Sequence, residues 1–266
     1  AIYTEYSYGN DVISNCQFTG CHSTEDAGAI FLYASGYYEN NFTTITGCVF
    51  TDCYSDEGGA ILSEESYGDD IISNCQFINN SSTDEGGAIY LYYTSERGDN
   101  FTTITDCLFT GNASESEGGA IYAEYGEGAQ IIRSTFLDNE GVYGGAISIY
   151  DAYPQITDCL FAKNTATADD TDYGAGGALY AEAYGMLIIN STFADNIATQ
   201  RPGAAITFDD DLVLKNCIFW GNVQQGDGTI GQQQVHNNDG YVVEIYHSLI
   251  QDGLPDGATD GGNNIY

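Results

Sequence analysis

The sequence predicts an all-β fold, a parallel β-helix of about nine coils, and three observations carry that expectation. A glycine-pair phrase recurs through most of the chain, and a phenylalanine-centred phrase keeps step with it. Both are short and rich in β-forming residues, with Gly, Asp and Asn clusters between them and no helical stripe in any segment.

The glycine-pair phrase is clearest in STDEGGAIYLYY from Ser82 and SESEGGAIYAEY from Ser114. Its small residue returns at Ala29, Ala60, Ala88, Ala120, Ala146, Ala178 and Ala205, in steps of 26 to 32 residues. Such a period marks a solenoid. The second phrase, as in NCQFTGC, DCLFTGN and NCIFWGN, places Phe18, Phe50, Phe77, Phe109, Phe136, Phe161, Phe193 and Phe219. One coil cannot bury its apolar face alone, so coils must stack with in-register parallel strands about 4.8 Å apart, giving a rod on the order of 40 Å.

Stacking turns like residues into ladders. The phenylalanines form an inward aromatic stack, and Ile30, Ile61, Ile89, Ile121, Ile147, Leu179 and Ile206 an inward aliphatic one. Two positions before each phenylalanine runs a thiol or hydroxyl column: Cys16, Cys48, Cys75, Cys107, Ser134, Cys159, Ser191 and Cys217. Three positions after it come Cys21, Cys53, Asn80, Asn112, Asn139, Asn164, Asn196 and Asn222, where stacked asparagines can hydrogen-bond between coils.

A two-coil superperiod overlies the repeat. Three positions beyond the ladder aliphatic the residues read Glu5, Tyr33, Glu64, Tyr92, Glu124, Tyr150, Glu182 and Asp209, so acid and tyrosine alternate. Before each phenylalanine, polar and apolar residues alternate as Gln17, Val49, Gln76, Leu108, Thr135, Leu160, Thr192 and Ile218. Even coils near the start also carry longer, hairpin-like insertions, SGYYENNFTT and TSERGDNFTT. Alternation keeps like charges nearly two strand spacings apart.

GGAI or GGAL paired with F-x-x-N resembles the repeat of the polymorphic outer-membrane proteins and related bacterial surface adhesins over roughly residues 1–222. The resemblance implies a right-handed parallel β-helix, exposure at the cell surface or secretion, and adhesion. Departures are Cys21 and Cys53 in place of asparagine, Ala27-Gly28 and Gly203-Ala204 in place of the glycine pair, and the lack of a following barrel. Residues 1–266 read as a single β-helix segment with less regular coils over 223–266. The opening AIY lacks the first half of its phrase, and the closing HSLIQDGLPDGATDGGNNIY resembles late coils of large secreted β-helix proteins. Both lead us to expect a piece of a longer chain.

Composition limits the function classes. Against 39 Asp and Glu stand 5 Lys and Arg, for a formal charge of -34. Such a chain repels nucleic acid, anionic lipid and polyuronates and attracts cations. No apolar run reaches bilayer-spanning length, so this segment is not expected to insert into a membrane.

Each candidate site has a plain alternative. The eight cysteines fall mainly in one inward ladder and read as buried free thiols, with Cys21 and Cys53 the best disulfide candidates. His22, His236 and His247 lie apart in the pattern, which argues against zinc. Ahead of the glycine pair, Glu25, Asp26, Asp56, Glu57, Asp84, Glu85 and Glu117 form an acidic strip. The strip reads as a solvated rim, with calcium bridging between coils as the alternative and no cofactor required. Tyr3, Phe31, Tyr90, Tyr122 and Tyr180, beside Tyr33, Tyr92 and Tyr150, would form a glycan- or partner-binding face if both columns point outward, and otherwise merely good strand surface. Lyase chemistry wants clustered bases, yet Arg97, Arg133, Lys163, Arg201 and Lys215 are scattered. Hydrolysis needs only two carboxylates, and nothing singles out a pair. Threonine-based ice binding is disfavoured because TTIT occurs only at Thr43 and Thr102.

The expectation is therefore a non-catalytic, extracellular structural or adhesive rod that stacks on neighbouring repeats or subunits, end to end into a filament. A polysaccharide-binding or polysaccharide-cleaving β-helix is the alternative.

Overall fold

The computed structural model describes residues 2–7, 10–35, 42–66, 70–94, 101–126, 129–168, 175–225, 234–238, 241–251, 253–255 and 257–266. Both long insertions of the even coils, and Arg97, lie largely or wholly outside them.

Each coil contributes one strand to each of several parallel sheets. In one coil these strands are Ile61–Glu64, Ile71–Ser73, Gln76–Ile78 and the short Ser81–Ser82, named here the first to fourth sheets in chain order. The first and third sheets have nine strands, the second ten and the fourth seven, each strand hydrogen-bonded to its counterpart one coil away. The result is the right-handed parallel β-helix that the recurring phrases require.

The phenylalanine ladder forms the spine. Neighbouring rings from Phe18 to Phe219 stack with centroids 4.6–4.8 Å apart and planes within 3° of parallel. The ring spacing equals the strand spacing, so register alone sets it. Facing it, Ile30, Ile61, Ile89, Ile121, Ile147, Leu179 and Ile206 pair in register along the first sheet, all fully buried.

Polar ladders satisfy the corners. Asn112 Nδ2 donates to Asn139 Oδ1 at 2.9 Å and to the Phe77 carbonyl at 3.0 Å, while the Asn112 backbone N–H reaches the same Asn139 oxygen at 3.0 Å. The pattern repeats from Asn80 to Asn222, whose amide ends on Gln234 Oε1 at 2.7 Å. Thiols do comparable work at the preceding corner. The Cys48 N–H points to Cys75 Sγ at 3.4 Å and the Cys107 N–H to Ser134 Oγ at 3.2 Å. All eight thiols are free, with Cys16 and Cys21 partly exposed and the other six buried.

The glycine pair has a steric cause. The first glycine, as at Gly118, takes φ +65°, a region that side chains disfavour. At the second, a Cβ on Gly87 would overlap the Gly119 carbonyl oxygen, and one on Gly119 that of Gly145. The phrase recurs because successive coils touch backbone to backbone here.

Candidate surface site on the first sheet

Because side chains alternate across a strand, burying the isoleucines forces the next residue and the one two further on to the outer face of the first sheet. Register then aligns Glu5 with Tyr33, Tyr33 with Glu64, Glu64 with Tyr92, Tyr92 with Glu124, Glu124 with Tyr150 and Tyr150 with Glu182. The acid–tyrosine alternation is thus a continuous column in space.

The other outer column is covered. Tyr90, Tyr122 and Tyr180 are only 4–6% exposed, against 61% for Tyr3 and 37% for Tyr150. Tyr90 and Tyr122, with Leu62 and Ala27, make a small apolar layer outside the sheet, and Phe31 and Tyr92 pack onto it. Tyr180 lies against Tyr143, with ring centroids 5.1 Å apart. These tyrosines therefore offer a ligand much less ring area than freely exposed outward positions would. Their hydroxyls remain useful: Tyr90 donates to Glu124 Oε2 at 2.8 Å and Tyr180 donates to Glu182.

Of the acidic strip, Glu25, Asp26 and Asp84 are exposed, whereas Asp56, Glu57, Glu85 and Glu117 are partly buried beside the tyrosine layer. Asp56 accepts from Thr83 Oγ1 at 2.9 Å and Glu117 from Ser148 Oγ at 2.6 Å. Burial, then the charges of Asp84, Glu57, Glu117 and Glu124, push the Glu85 carboxyl up to about 7. Glu57, Glu64 and Glu117 are also raised, each chiefly by burial. Among the described residues no three His, Cys, Asp or Glu side chains gather as a metal site.

A cleft of about 430 Å³ opens among Glu57, Glu64, Glu85, Tyr90, Tyr92, Glu124 and Tyr125. A smaller one, about 240 Å³, lies further along between Tyr150, Glu182, Tyr184, Asp209 and Tyr241. Arg133 bridges Asp106 at 2.7 Å in the turn before the third sheet, and Lys215 lies over the Tyr246 ring at 5.8 Å.

Sequence reasoning missed Tyr93 and Tyr125. They follow the alternating column, take φ of 48° and 52°, and stack with centroids 4.8 Å apart. Tyr92 meets Tyr93 edge-on at 4.7 Å and Tyr125 at 6.2 Å. Their column reads Tyr6, Ala34, Glu65, Tyr93, Tyr125 and Asp151, without the alternation that would have flagged it.

No helix among the described residues is long and apolar enough to cross a membrane. Comparison with curated proteins and with solved structures gives no match. The family model for a right-handed β-helix region matches residues 1–142 and again 96–251, and with its sheets and ladders the chain belongs to that right-handed β-helix family.

Proposed function

We propose that this chain is a non-catalytic, extracellular structural or adhesive rod whose first sheet displays the working face. The observation that carries the reading is the in-register column from Glu5 to Glu182, which spreads acid and ring contacts over seven strands. A distributed surface suits adhesion, or assembly with neighbouring repeats or subunits, where many modest contacts add. Calcium on the acidic loops around Asp26, Asp56 and Asp84 is an optional part of this reading. Cell-surface or secreted placement fits a chain of such acidity and tyrosine content.

The test is graded. Changing Tyr92 alone should weaken adhesion or assembly modestly, and changing Tyr33, Tyr92 and Tyr150 together should abolish it. The alternative, polysaccharide cleavage, draws on one observation: a partly buried Glu85 whose carboxyl is pushed up to about 7 in a cleft with other carboxylates is the arrangement of a general acid. A screen of neutral and acidic polysaccharides for released reducing ends or unsaturated sugars separates the two. Turnover erased by one Asp or Glu substitution would replace the binding reading.

A further inference from the structure

A polar cluster is built into the interior at the corner between the first and second sheets. It comprises Asp70, Ser35, Ser66, Thr43 and Thr102, each 3% exposed or less. Ser35 Oγ lies 2.8 Å and Ser66 Oγ 2.7 Å from Asp70 Oδ2, and the two hydroxyls are 2.8 Å apart. The Thr43 backbone N–H donates to Asp70 Oδ1 at 2.6 Å. Register sets Thr43 and Thr102 opposite Asp70, one on each neighbouring strand of the second sheet, and burial turns both side chains inward beside it. Yet neither Thr43 Oγ1 nor Thr102 Oγ1 has a hydrogen-bond partner among the described residues. A buried hydroxyl in that position costs stability unless something takes up its oxygen.

Counting protons narrows the choice of partner. Each serine hydroxyl carries one proton, so while Asp70 is ionised the triangle of Ser35, Ser66 and Asp70 has only enough protons for two of its contacts. The remaining pair of oxygens meets lone pair to lone pair. A proton on Asp70 would fill that contact, but it would leave the threonine oxygens on both flanking strands unserved. A water would serve the threonines and leave the contact as it is. A metal ion does both, since its charge offsets the crowded lone pairs and it takes ligands from several sides. All the donors are oxygens, which selects a hard cation, and a single carboxylate among neutral hydroxyls balances one positive charge. Asp11, the other acid of this column, stands beyond Thr43 and accepts from Ser7 Oγ at 2.6 Å.

We propose that this corner is a binding site for an alkali-metal ion, with Asp70 supplying the charge and Thr43, Thr102, Ser35 and Ser66 the neutral oxygens. Its ligands come from three consecutive coils, so the bound ion ties the early part of the rod together. Further on, the same column turns apolar as Ala129, Met186 and Leu212, which confines the site to these coils. The site is independent of the reading of the first sheet as a binding face.

Thermal unfolding of the whole chain in tetramethylammonium, sodium and potassium chlorides at one ionic strength tests the site. Tetramethylammonium screens the surface acids to the same extent, but its methyl groups bar it from ligation by oxygens. Sodium or potassium is expected to raise Tm by roughly 2–4 °C above the tetramethylammonium value, and the larger rise shows which ion the site prefers. Asp70→Asn and, separately, Thr43→Val/Thr102→Val should lose most of that rise. The control is Asp52→Asn, which removes one charge from a turn after the third sheet where the left-handed backbone accepts asparagine, and it should keep the rise. Equal Tm in all three salts would mean that the ions only screen, and would overturn the site. A rise that survives in the threonine double variant would overturn it as well, leaving water as the partner of those hydroxyls. Calcium acting through the same residues at far lower concentration would replace the monovalent ion with a divalent one. Should Asp70→Asn fail to fold, the threonine pair decides, because valine keeps the shape of threonine.

Discussion

Tyr92 and Glu124 lie directly opposite each other on neighbouring strands of the first sheet, and Glu64 stands opposite Tyr92 on the other side. A ring therefore separates two carboxylates that a one-coil repeat would have stacked at a single strand spacing. Each Coulomb repulsion is roughly halved by the doubled distance. The superperiod is thus a charge-spacing device.

The phenylalanine spine should dominate stability. Phe109 is fully buried between Phe77 and Phe136, with centroids 4.7 Å away on each side. Phe109→Ala is expected to cost roughly 3–5 kcal/mol in denaturant unfolding. A loss under about 1 kcal/mol would contradict the stack.

Backbone contact at the glycine pair should tolerate no methyl group. Gly119→Ala would drive its Cβ into the Gly145 carbonyl, whereas Gly185→Ala meets nothing within 4 Å. We expect the first to destabilise by more than about 2 kcal/mol and the second, strained only by its φ of +60°, by about 1 kcal/mol. Equal melting temperatures for the two variants would refute the close approach.

The acidic face gives stability a pH sign. Glu85 sits at about 7 against an ordinary 4.5, so between those values the native state holds more protons than the unfolded chain. Its penalty is absent below the lower value and complete above the upper one, and stability falls as pH rises through that window. Glu57, Glu64 and Glu117 add in the same direction. Melting scans should show Tm dropping across the window and Glu85→Gln flattening part of the drop. A wild-type Tm that climbs instead would disprove the assignment.

Thiol accessibility should split two to six. Cys16 and Cys21 are partly exposed, while Cys48, Cys53, Cys75, Cys107, Cys159 and Cys217 are buried. Burial also pushes the Cys53, Cys159 and Cys217 thiols up to about 11, further lowering their reactivity. Mass spectrometry after brief alkylation of the native protein should find label on the first two alone and on all eight after unfolding. Rapid native labelling of Cys107 would break the ladder model.

Calcium is to be tested on a metal-stripped sample. Bridging of the loops at Asp26, Asp56 and Asp84 should raise Tm at about millimolar calcium, and more at alkaline than at acidic pH, because the ion competes with protons. Absence of both heat and a Tm shift would leave the strip as a solvated rim.

The architecture was legible because a solenoid repeats its instructions. Eight phenylalanines, seven small residues after the glycines and six asparagines each mark one position of the coil, and parallel register turns each series into a ladder. The outer face was legible in part. Glu5 to Glu182 could be aligned from spacing, and the bonded asparagine ladder followed from residue type. Tyr93 and Tyr125 could not be found that way, since their column, Tyr6, Ala34, Glu65, Tyr93, Tyr125 and Asp151, has no regular alternation.

The sequence by itself determined the coil, its period, its inward ladders and the alternation of acid and tyrosine, all properties of order along the chain. Tertiary structure alone decided which outward tyrosines stay available. Tyr90, Tyr122 and Tyr180 share a strand position with Tyr3, yet only Tyr3 is open. The difference arises because exposure depends on what stacks above, below and beside a residue. Leu62, Ala27 and Tyr143 come from other coils or from the arch before the glycine pair, and only folding brings them against those rings. The same closeness crowds Glu57, Glu85 and Glu117 beside the tyrosine layer and raises their carboxyls, which no spacing of acids in a sequence can specify.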